Sequence, residues 1–267
     1  MIVFPNAKIN IGLNIVNKRA DGYHDLETVF YPVMIRDVLE VVEAKELSFG
    51  STGITVPGAF EDNICLKAYE LLSRDIKLPP VKIHLHKNIP IGAGLGGGSA
   101  DASFFIKLMN EKFLLGLSQE RMEHYASQLG ADCTFFIQNQ PVFASEKGGK
   151  FENIELDLGK YFIILVMPDV HVATGEAFKD IIPKPPVKNL KVLINDDITK
   201  WKISITNDFE SGIIKRYPEI GSIKDSLYHS GAIYASMSGS GSSVYGIFGS
   251  PLTLPELEIG NRVFYGV

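Results

Sequence analysis

Apolar and polar residues alternate, or recur at helical spacing, along most of the 267-residue chain. Alternation is typical of half-buried strands, and recurrence every three to four residues is typical of amphipathic helices. The first pattern, together with wholly apolar runs, predicts strands at 2–16 (broken by Pro5), 26–33, 81–85, 161–167, 232–237 and 244–248, with a hairpin at 141–155. The second predicts helices at 64–72, after residue 99, at 118–129, near 172–178, from 207 and at 217–229. Because the strand at 161–167 opens a second half, we predict two domains, 1–155 and 156–267.

Composition and charge exclude several classes of protein. The chain is 45% hydrophobic and 21% charged with a net charge of −5, which disfavours a general nucleic-acid surface. Its two cysteines, Cys65 and Cys133, indicate a reducing compartment without a disulfide framework. The first residues are too short and uncharged for a signal peptide, and the longest apolar run, 161–168, is far short of a membrane span. We therefore expect a cytoplasmic protein with no nucleic-acid or membrane partner.

The most informative stretch is rich in glycine and runs Pro90-Ile91-Gly92-Ala93-Gly94-Leu95-Gly96-Gly97-Gly98-Ser99-Ala100. It lies between the predicted strand at 81–85 and a helical pattern that Ser99 is predicted to cap. Glycine tolerates positive φ, so successive N–H groups can turn inward around an anion, and the helix N-terminus adds its positive dipole end. A tight turn or flexible linker is the alternative, but strong apolar patterns flank the run. We predict a phosphate-binding loop.

Three familiar types of phosphate loop do not fit this run. The Walker pattern is absent from the chain. Gly92, Gly94 and Gly97 match the pattern GxGxxG, but the next element is a second helical pattern from Ser118. A dinucleotide-binding fold requires a buried strand ending in an acid at that point, so this fold is disfavoured. The HRD and DFG motifs that accompany a protein-kinase glycine loop are also absent.

Three polar residues inside apolar stretches are candidates for chemistry. Lys8 and Asn10 lie two apart on a predicted strand, so they share one face of it. That face is either a surface edge or a polar cleft. Asp132 is a lone acid among small and apolar residues, and it either caps a helix or lies partly buried beside a cleft with a cation partner.

A second set of residues is predicted to have mainly structural roles. Asn63 directly precedes the helix at 64–72 and is predicted to cap it. Cys133 has no His and Asn arrangement to support catalysis and is predicted to be a buried thiol. His84 and His86 share a strand face, but no third ligand has a fitting spacing, so no metal site is predicted.

Two residues near the glycine turn at Asp21-Gly22 have a possible role in recognition. Tyr23 and His24 follow this turn and begin the next predicted strand. They either simply begin the strand or bind a free base. In the second case an aromatic ring stacks on the base, and a neighbouring side chain forms hydrogen bonds with the edge of the base. Lys87 lies three residues before Pro90, just ahead of the glycine-rich stretch, and is predicted to face a nucleotide bound there.

Several segments, spanning residues 5–246, resemble the GHMP kinases. The phosphate loop has that family's Pro90 and Gly94-Leu95-Gly96, and residues 5–13 and 238–243 resemble its first and third motifs. The segments 19–24 and 130–136 resemble those of one branch, which phosphorylates a cytidine diphosphate-linked methylerythritol. The resemblance implies an α+β, two-domain GHMP kinase fold. The N-terminal ATP-binding domain is implied to be ribosomal protein S5 domain 2-like, and the C-terminal substrate-binding domain to be ferredoxin-like.

The resemblance also implies an activity and a set of site residues. The activity is ATP-dependent phosphorylation of the C2 hydroxyl of that small-molecule substrate in the non-mevalonate isoprenoid pathway, with ATP and Mg²⁺ as cofactors. Lys8 and Asp132 are implied to be catalytic, and no protein ligand for magnesium is implied. The implied nucleotide contacts are Asn63, Lys87, Pro90, Gly92, Gly94, Leu95, Gly96, Gly97, Gly98, Ser99 and Ala100. The implied acceptor contacts are Asn10, Tyr23, His24, Thr174, Phe178, Gly239 and Ser240.

Two alternative functions remain open at this point. One is another GHMP-type kinase, acting on a sugar, homoserine or mevalonate, which would not depend on cytidine. The other is a nucleotide-binding module without catalysis, which would bind ATP without turnover. We expect a monomer or a weak homodimer in either case.

Overall fold

The computed structural model describes residues 1–267, and contacts between them divide the chain into two compact units. Unit 1 comprises residues 1–7, 35–91 and 96–140, and unit 2 comprises residues 8–34, 92–95 and 141–267. The division of the chain into 1–155 and 156–267 stays a prediction. No helix is both long enough and apolar enough to span a membrane.

Strands and helices are mixed along the chain. The strands are β1 (Ile2–Val3), β2 (Asn6–Lys18), β3 (His24–Arg36), β4 (Val38–Glu43), β5 (Ser48–Gly53), β6 (Val81–Lys87), β7 (Val142–Ser145), β8 (Lys150–Asn153), β9 (Phe162–Pro168), β10 (Tyr234–Met237), β11 (Val244–Phe248) and β12 (Asn261–Tyr265). The α-helices are α1 (Ile64–Ser73), α2 (Gly97–Lys112), α3 (Gln119–Leu129), α4 (Cys133–Gln138), α5 (Thr174–Ala177), α6 (Leu190–Leu193), α7 (Trp201–Ser204), α8 (Glu210–Arg216) and α9 (Pro218–His229).

Unit 1 is built on a four-stranded sheet in the order β1-β4-β6-β5. β6 pairs antiparallel with β4 and parallel with β5. Its side chains alternate as predicted, so that Val81, Ile83 and Leu85 are buried on one face. The apolar sides of α1 and α2, including Leu72 and Phe105, complete this core. Burying one such side chain contributes about 1.5–3 kcal/mol to folding.

The ends of three helices in unit 1 test the predicted caps. Asn63 caps α1, because its Oδ1 accepts a hydrogen bond from the Cys65 amide at 2.9 Å. Ser118 caps α3 as predicted, and Gly130 directly follows the last residue of that helix, Leu129. The predicted cap of α2 is wrong, because Ser99 lies inside its first turn. The residue before the helix is Gly96, whose left-handed φ of 70° ends the loop three positions before Ser99.

Unit 2 contains two four-stranded sheets, in the orders β2-β3-β7-β8 and β10-β11-β9-β12. If the strands of the second sheet are numbered 1 to 4 from β9 to β12, their order across the sheet is 2-3-1-4. All neighbouring strands are antiparallel, as in a ferredoxin-like sheet. Helices α8 and α9 cover one face through Ile213, Ile220 and Leu227, which pack in the same core as Ile164 and Val244. The predicted α+β fold is confirmed. β12 lies in a tail for which no element is predicted.

Candidate active site

Lys8 and Asn10 share one face of β2, as predicted, but that face is not a surface edge. The two side chains are 4% and 3% exposed. The Lys8 ammonium donates to Asn10 Oδ1 at 2.5 Å and to the carbonyl of Gly94 at 3.1 Å. A buried ammonium requires such partners, because burial without them strongly disfavours the charge. The interpretation of the pair as a surface edge is therefore wrong, and the lysine is fixed to the glycine-rich loop.

Two further hydroxyl groups fix Asn10, and the sequence did not single out either of them. Asn10 Nδ2 donates to Thr28 Oγ1 at 2.9 Å. The backbone N–H of Asn10 donates to Ser238 Oγ at 3.1 Å, and Ser238 Oγ in turn donates to the carbonyl of Gly94 at 2.9 Å. Thr28 is a polar residue inside an apolar strand and Ser238 opens the second glycine loop, which are the only signals that could have identified them. The network holds Lys8 in one rotamer beside the loop.

The glycines of the loop have different physical roles. Gly92, Gly94 and Gly96 have φ values of 67°, 77° and 70°, which side chains rarely adopt. A Cβ atom on Gly94 would lie 2.0 Å from the carbonyl oxygen of Ser238, and one on Gly92 would meet the ring of His171 at 2.7 Å. At Gly98, by contrast, a Cβ atom would meet nothing within 4 Å. The loop therefore packs against protein at its start and presents bare backbone at Gly98.

This bare backbone is the N-terminus of α2, a helix of 16 residues. The first N–H groups of an α-helix have no partner within the helix, and no side chain caps this one at Gly96. These N–H groups and the positive end of the helix dipole favour a phosphate. The residues present therefore fit a nucleotide phosphate. The glycine-rich stretch is anchored by its own buried apolar residues, which are Pro90, Ala93, Leu95 and Ala100.

Two of the predicted nucleotide contacts, Lys87 and Asn63, are hydrogen-bonded to other residues of the protein. The Lys87 ammonium is 3% exposed and lies between the carboxylates of Asp37 and Asp101, the latter at 2.7 Å. Burial lowers the pKa of Lys87, but the two acids more than reverse this, so the net shift is upward and the lysine is charged. Asn63 uses its side-chain carbonyl oxygen for the α1 cap. Contact of either residue with a nucleotide stays a prediction.

Asp132 lies directly before α4 and is half-buried. Its side chain makes no capping hydrogen bond, so the capping reading is wrong. The next residue, Cys133, is a buried free thiol as predicted, and burial raises its pKa to about 11, which keeps it protonated. Ser103 Oγ on α2 lies 2.6 Å from the Cys133 carbonyl and 2.8 Å from the Ser99 carbonyl. This hydroxyl thus ties the Asp132 segment to the helix that follows the loop.

Ser103→Ala is expected to lower the free energy of unfolding by about 1–3 kcal/mol, because a buried carbonyl loses its partner. Chemical denaturation measures this change. Ser127→Ala, at a serine on α3 that is exposed, is the control and should change the free energy by less than about 0.5 kcal/mol. Equal stability of the two variants would show that Ser103 does not hold the segment.

Four of the predicted acceptor residues of unit 2 form two contacting pairs. The rings of His24 and Phe178 are stacked, with centroids 4.8 Å apart and planes at 21°. Tyr23 is 63% exposed, and the Lys147 ammonium lies 4.2 Å from its ring centroid. The structure therefore brings His24, rather than Tyr23, onto Phe178. In the second pair, the hydroxyls of Thr174 and Ser240 lie 3.4 Å apart.

The second glycine loop is held by a residue that the sequence did not single out. Asn207 is buried, and its Nδ2 donates to the carbonyls of Met237 and Gly239 at 2.9 and 2.8 Å. Gly239 has a φ of 57°, and a Cβ atom there would lie 3.2 Å from Asn10 Oδ1. The predicted contact Gly239 therefore lies beside Asn10. Only the position of Asn207 before a helix could have drawn attention to it.

No group of three or more His, Cys, Asp or Glu residues is arranged to hold a metal ion. His84 Nε2 and His86 Nδ1 both lie within hydrogen-bond distance of Thr52 Oγ1, at 3.1 and 2.9 Å. Each histidine thus has a hydroxyl partner on the neighbouring strand β5.

Known proteins similar to this chain agree with the geometry. The profiles of the GHMP kinases N terminal domain and the GHMP kinases C terminal domain match residues 63–146 and 189–257. Fold and glycine-rich loop thus define a GHMP kinase. A 4-diphosphocytidyl-2-C-methyl-D-erythritol kinase of Bacteroides thetaiotaomicron is 52% identical over 99% of this chain and 98% of that protein. The chain belongs to the family of 4-diphosphocytidyl-2-C-methyl-D-erythritol kinases, and it is an ATP-dependent kinase.

Solved structures give the same assignment at the level of the fold. A crystal structure of 4-(cytidine 5'-diphospho)-2C-methyl-D-erythritol kinase superposes with a TM-score of 0.85 at 26% identity, covering 100% of this chain and 98% of that one. A crystal structure of mevalonate kinase superposes with a TM-score of 0.71 at 16% identity, covering 99% and 98%. The second match shows the fold alone, so the fold does not by itself select the acceptor.

Proposed function

We propose that this kinase transfers the γ-phosphoryl group of ATP to the C2 hydroxyl of 4-diphosphocytidyl-2-C-methyl-D-erythritol. The observation that carries the proposal is the buried Lys8 ammonium, which the Asn10 network fixes on the carbonyl of Gly94 in the phosphate loop. Family membership at 52% identity over nearly the whole chain supports the acceptor. It places the reaction in the non-mevalonate isoprenoid pathway.

The residues of the chain supply positioning and charge, which is what phosphoryl transfer chiefly requires. When bound, ATP supplies the phosphoryl group. The N–H groups at the start of α2, from Gly97 to Ser99, hold its phosphates, and the bare face of Gly98 lets them approach the backbone. Lys8 stabilises the negative charge of the group in transfer. Asp132 orients the acceptor hydroxyl and accepts its proton.

Magnesium is proposed to accompany ATP rather than to occupy a site made by the chain. The absence of a group of three or more potential ligands does not fit a protein-held ion. Mg²⁺ is commonly bound through substrate phosphates, water and one or two carboxylates. Titrating the kinase with Mg²⁺ in the absence of ATP is expected to release no measurable heat.

The acceptor is proposed to be recognised by its base. His24 already covers one face of Phe178, and their separation of 4.8 Å leaves no space for a third ring between them. We propose that His24 turns aside to bond the edge of cytosine, while the base stacks between Phe178 and Tyr23. Thr174, Ser240 and Gly239 then line the remainder of the acceptor site together with Asn10.

A panel of acceptors tests this proposal with a coupled assay for ADP. We expect strong phosphorylation of 4-diphosphocytidyl-2-C-methyl-D-erythritol and weak activity on its uridine analogue, because an unmatched base edge costs binding strongly. Methylerythritol 4-phosphate and mevalonate should react almost not at all, because remote binding energy positions the reacting centre. Equal activity with and without the cytidyl group would overturn the acceptor and leave a GHMP kinase for another alcohol.

Tyr23→Ala is expected to raise the KM for the cytidine substrate about tenfold, because base–ring stacking is worth about 1–3 kcal/mol. The KM for ATP should stay unchanged. Phe60→Ala is the matched control, since Phe60 is 62% exposed and Tyr23 is 63% exposed. An unchanged KM for the cytidine substrate in the Tyr23 variant would remove Tyr23 from the acceptor site.

We further propose that the enzyme acts in the cytoplasm as a monomer or a weak homodimer, without nucleic-acid partners. The net charge of −5 argues against nucleic-acid partners, and the two free, buried cysteines support a reducing compartment. Sedimentation over a range of protein concentrations tests the oligomeric state, and a concentration-independent dimer would contradict it.

A further inference from the structure

Three buried titratable residues contact one another at the start of α2, and we refer to Asp37, Lys87 and Asp101 as the buried triad. Their side chains are 0%, 3% and 2% exposed. Lys87 ends β6, Asp37 lies between β3 and β4, and Asp101 belongs to α2. A Cβ atom on Gly97 would lie 3.0 Å from the Lys87 ammonium. The triad therefore touches the backbone that is proposed to hold the ATP phosphates.

Asp37 has the full set of partners that an ionised carboxylate needs. Its Oδ2 accepts from the Lys87 ammonium. Its Oδ1 accepts from the amides of Asn88 and Ile89 at 2.6 and 2.8 Å. Hydrogen bonds and a cation both favour the charged form of a carboxyl group. Because residues 88 and 89 lead directly into the glycine-rich stretch, Asp37 also fixes the path of the chain into it.

Asp101 has a much poorer set of partners. Its Oδ2 accepts from Lys87 at 2.7 Å, but its Oδ1 is buried and has no hydrogen-bond partner. One ammonium does not compensate two buried carboxylates, so the triad with both acids ionised would bury a net negative charge. Burial raises the pKa of Asp101 well above its usual range, Lys87 opposes this, and Asp37 adds to it. The other titratable group that faces Asp101 is Cys65 on α1, whose pKa burial also raises.

We propose that the buried triad positions the phosphate loop, with Asp37 ionised, Lys87 charged and Asp101 held as a neutral carboxylic acid. The Asp37–Lys87 pair holds the end of β6 to the junction of β3 and β4, and the hydrogen bond between Lys87 and Asp101 holds it against the first turns of α2. The neutral Asp101 keeps a negative charge away from the end of α2 that receives phosphate, where an anion on the helix would repel the ligand. The inference rests on the proposed use of this helix end for ATP.

Two isosteric variants of the triad differ in where its negative charge lies but not in its net charge. Asp101→Asn and Asp37→Asn each leave Lys87 with one carboxyl group, so the net charge of the triad is the same in both. In Asp101→Asn the negative charge stays on Asp37. In Asp37→Asn the remaining acid, Asp101, becomes the counter-ion of Lys87 and ionises on α2.

Calorimetric titration with a non-hydrolysable ATP analogue, without any acceptor, measures the consequence. Asp37→Asn is expected to weaken nucleotide binding about tenfold or more, the effect of a like charge near the phosphates. Asp101→Asn should weaken it less than about threefold, because the amide has the shape and neutrality of the acid. Glu111→Gln, at an exposed acid on the same helix, is the control and should match the wild type. Equal weakening in the two triad variants would overturn the proposal.

A direct measurement covers the case in which Asp37→Asn does not fold. With ¹³C-labelled aspartate, the wild type at pH 7 should show one carboxyl resonance of a protonated acid, and Asp101→Asn should lack it. Absence of that resonance in the wild type would overturn the proposal. Because neither measurement uses the acceptor, failure of the cytidine substrate in the activity assay is distinguishable from failure of the triad.

Discussion

Asp132→Asn is expected to lower the turnover number about a hundredfold or more, the usual scale for loss of a general base. Asparagine keeps the shape of the side chain but cannot accept the proton of the acceptor hydroxyl. The affinity for ATP should change little, because the proposed phosphate contacts come from the backbone of α2. Single-turnover measurements with saturating ATP separate the chemical step from product release.

The control for this variant is Asp169→Asn, at an exposed acid in unit 2. It should retain wild-type turnover. A companion variant, Lys8→Ala, should lower turnover by about a hundredfold as well, since it removes a preorganised positive charge. If Lys8 and Asp132 act on the same step, the double variant should lose much less than the product of the two single effects. Near-normal turnover of Asp132→Asn would assign the proton to water or another residue.

Gly98→Val is expected to abolish measurable ATP binding while leaving the fold intact. Apart from its chain neighbours and the backbone of its own helix, nothing lies within 4 Å of a Cβ built at this position, and the residue is not in the left-handed region. The new side chain therefore meets only the ligand, whose phosphates need direct approach to the backbone. Gly96→Val should also abolish binding, but it adds backbone strain at a φ of 70°.

Calorimetric titration with ATP and thermal unfolding together test this expectation. Gly149→Val is the matched control, because that glycine is also open within 4 Å and is not left-handed. The control should bind ATP as the wild type does. Unchanged affinity in Gly98→Val would mean that the start of α2 is not the phosphate site.

The parts of the structure that follow from local periodicity could be read from the sequence. The alternation at 81–85 gives β6, and the same two-residue period places Lys8 and Asn10 on one face of β2. Caps such as Asn63 and Ser118 are also local, because their side chains bond amides two or three residues away. β5 was not predicted, since it is a polar edge strand with Phe49 as its one large apolar residue.

The supports of the site could not be predicted, because they join distant parts of the chain. Asn10 meets Thr28 over 18 residues and Ser238 over 228 residues, and neither contact leaves a periodic trace in the sequence. The pairing of Lys87 with Asp37 and Asp101 could not be predicted either, because these acids lie 50 and 14 residues away from it in the chain. The stacking of His24 on Phe178 likewise joins rings that are 154 residues apart in the chain, so no local pattern records it.

The long separation between Asn10 and Ser238 has a consequence for synthesis on the ribosome. At translation rates of about 5–20 residues per second, Ser238 is added about 10–45 s after Asn10. During that interval β2 lacks Ser238 and Tyr245, which later bond the amide and carbonyl of Asn10. The strand that carries Lys8 is therefore among the first parts of unit 2 to be made and among the last to be completed. We therefore expect a nascent chain stalled before residue 238 to bind chaperones and to show no kinase activity.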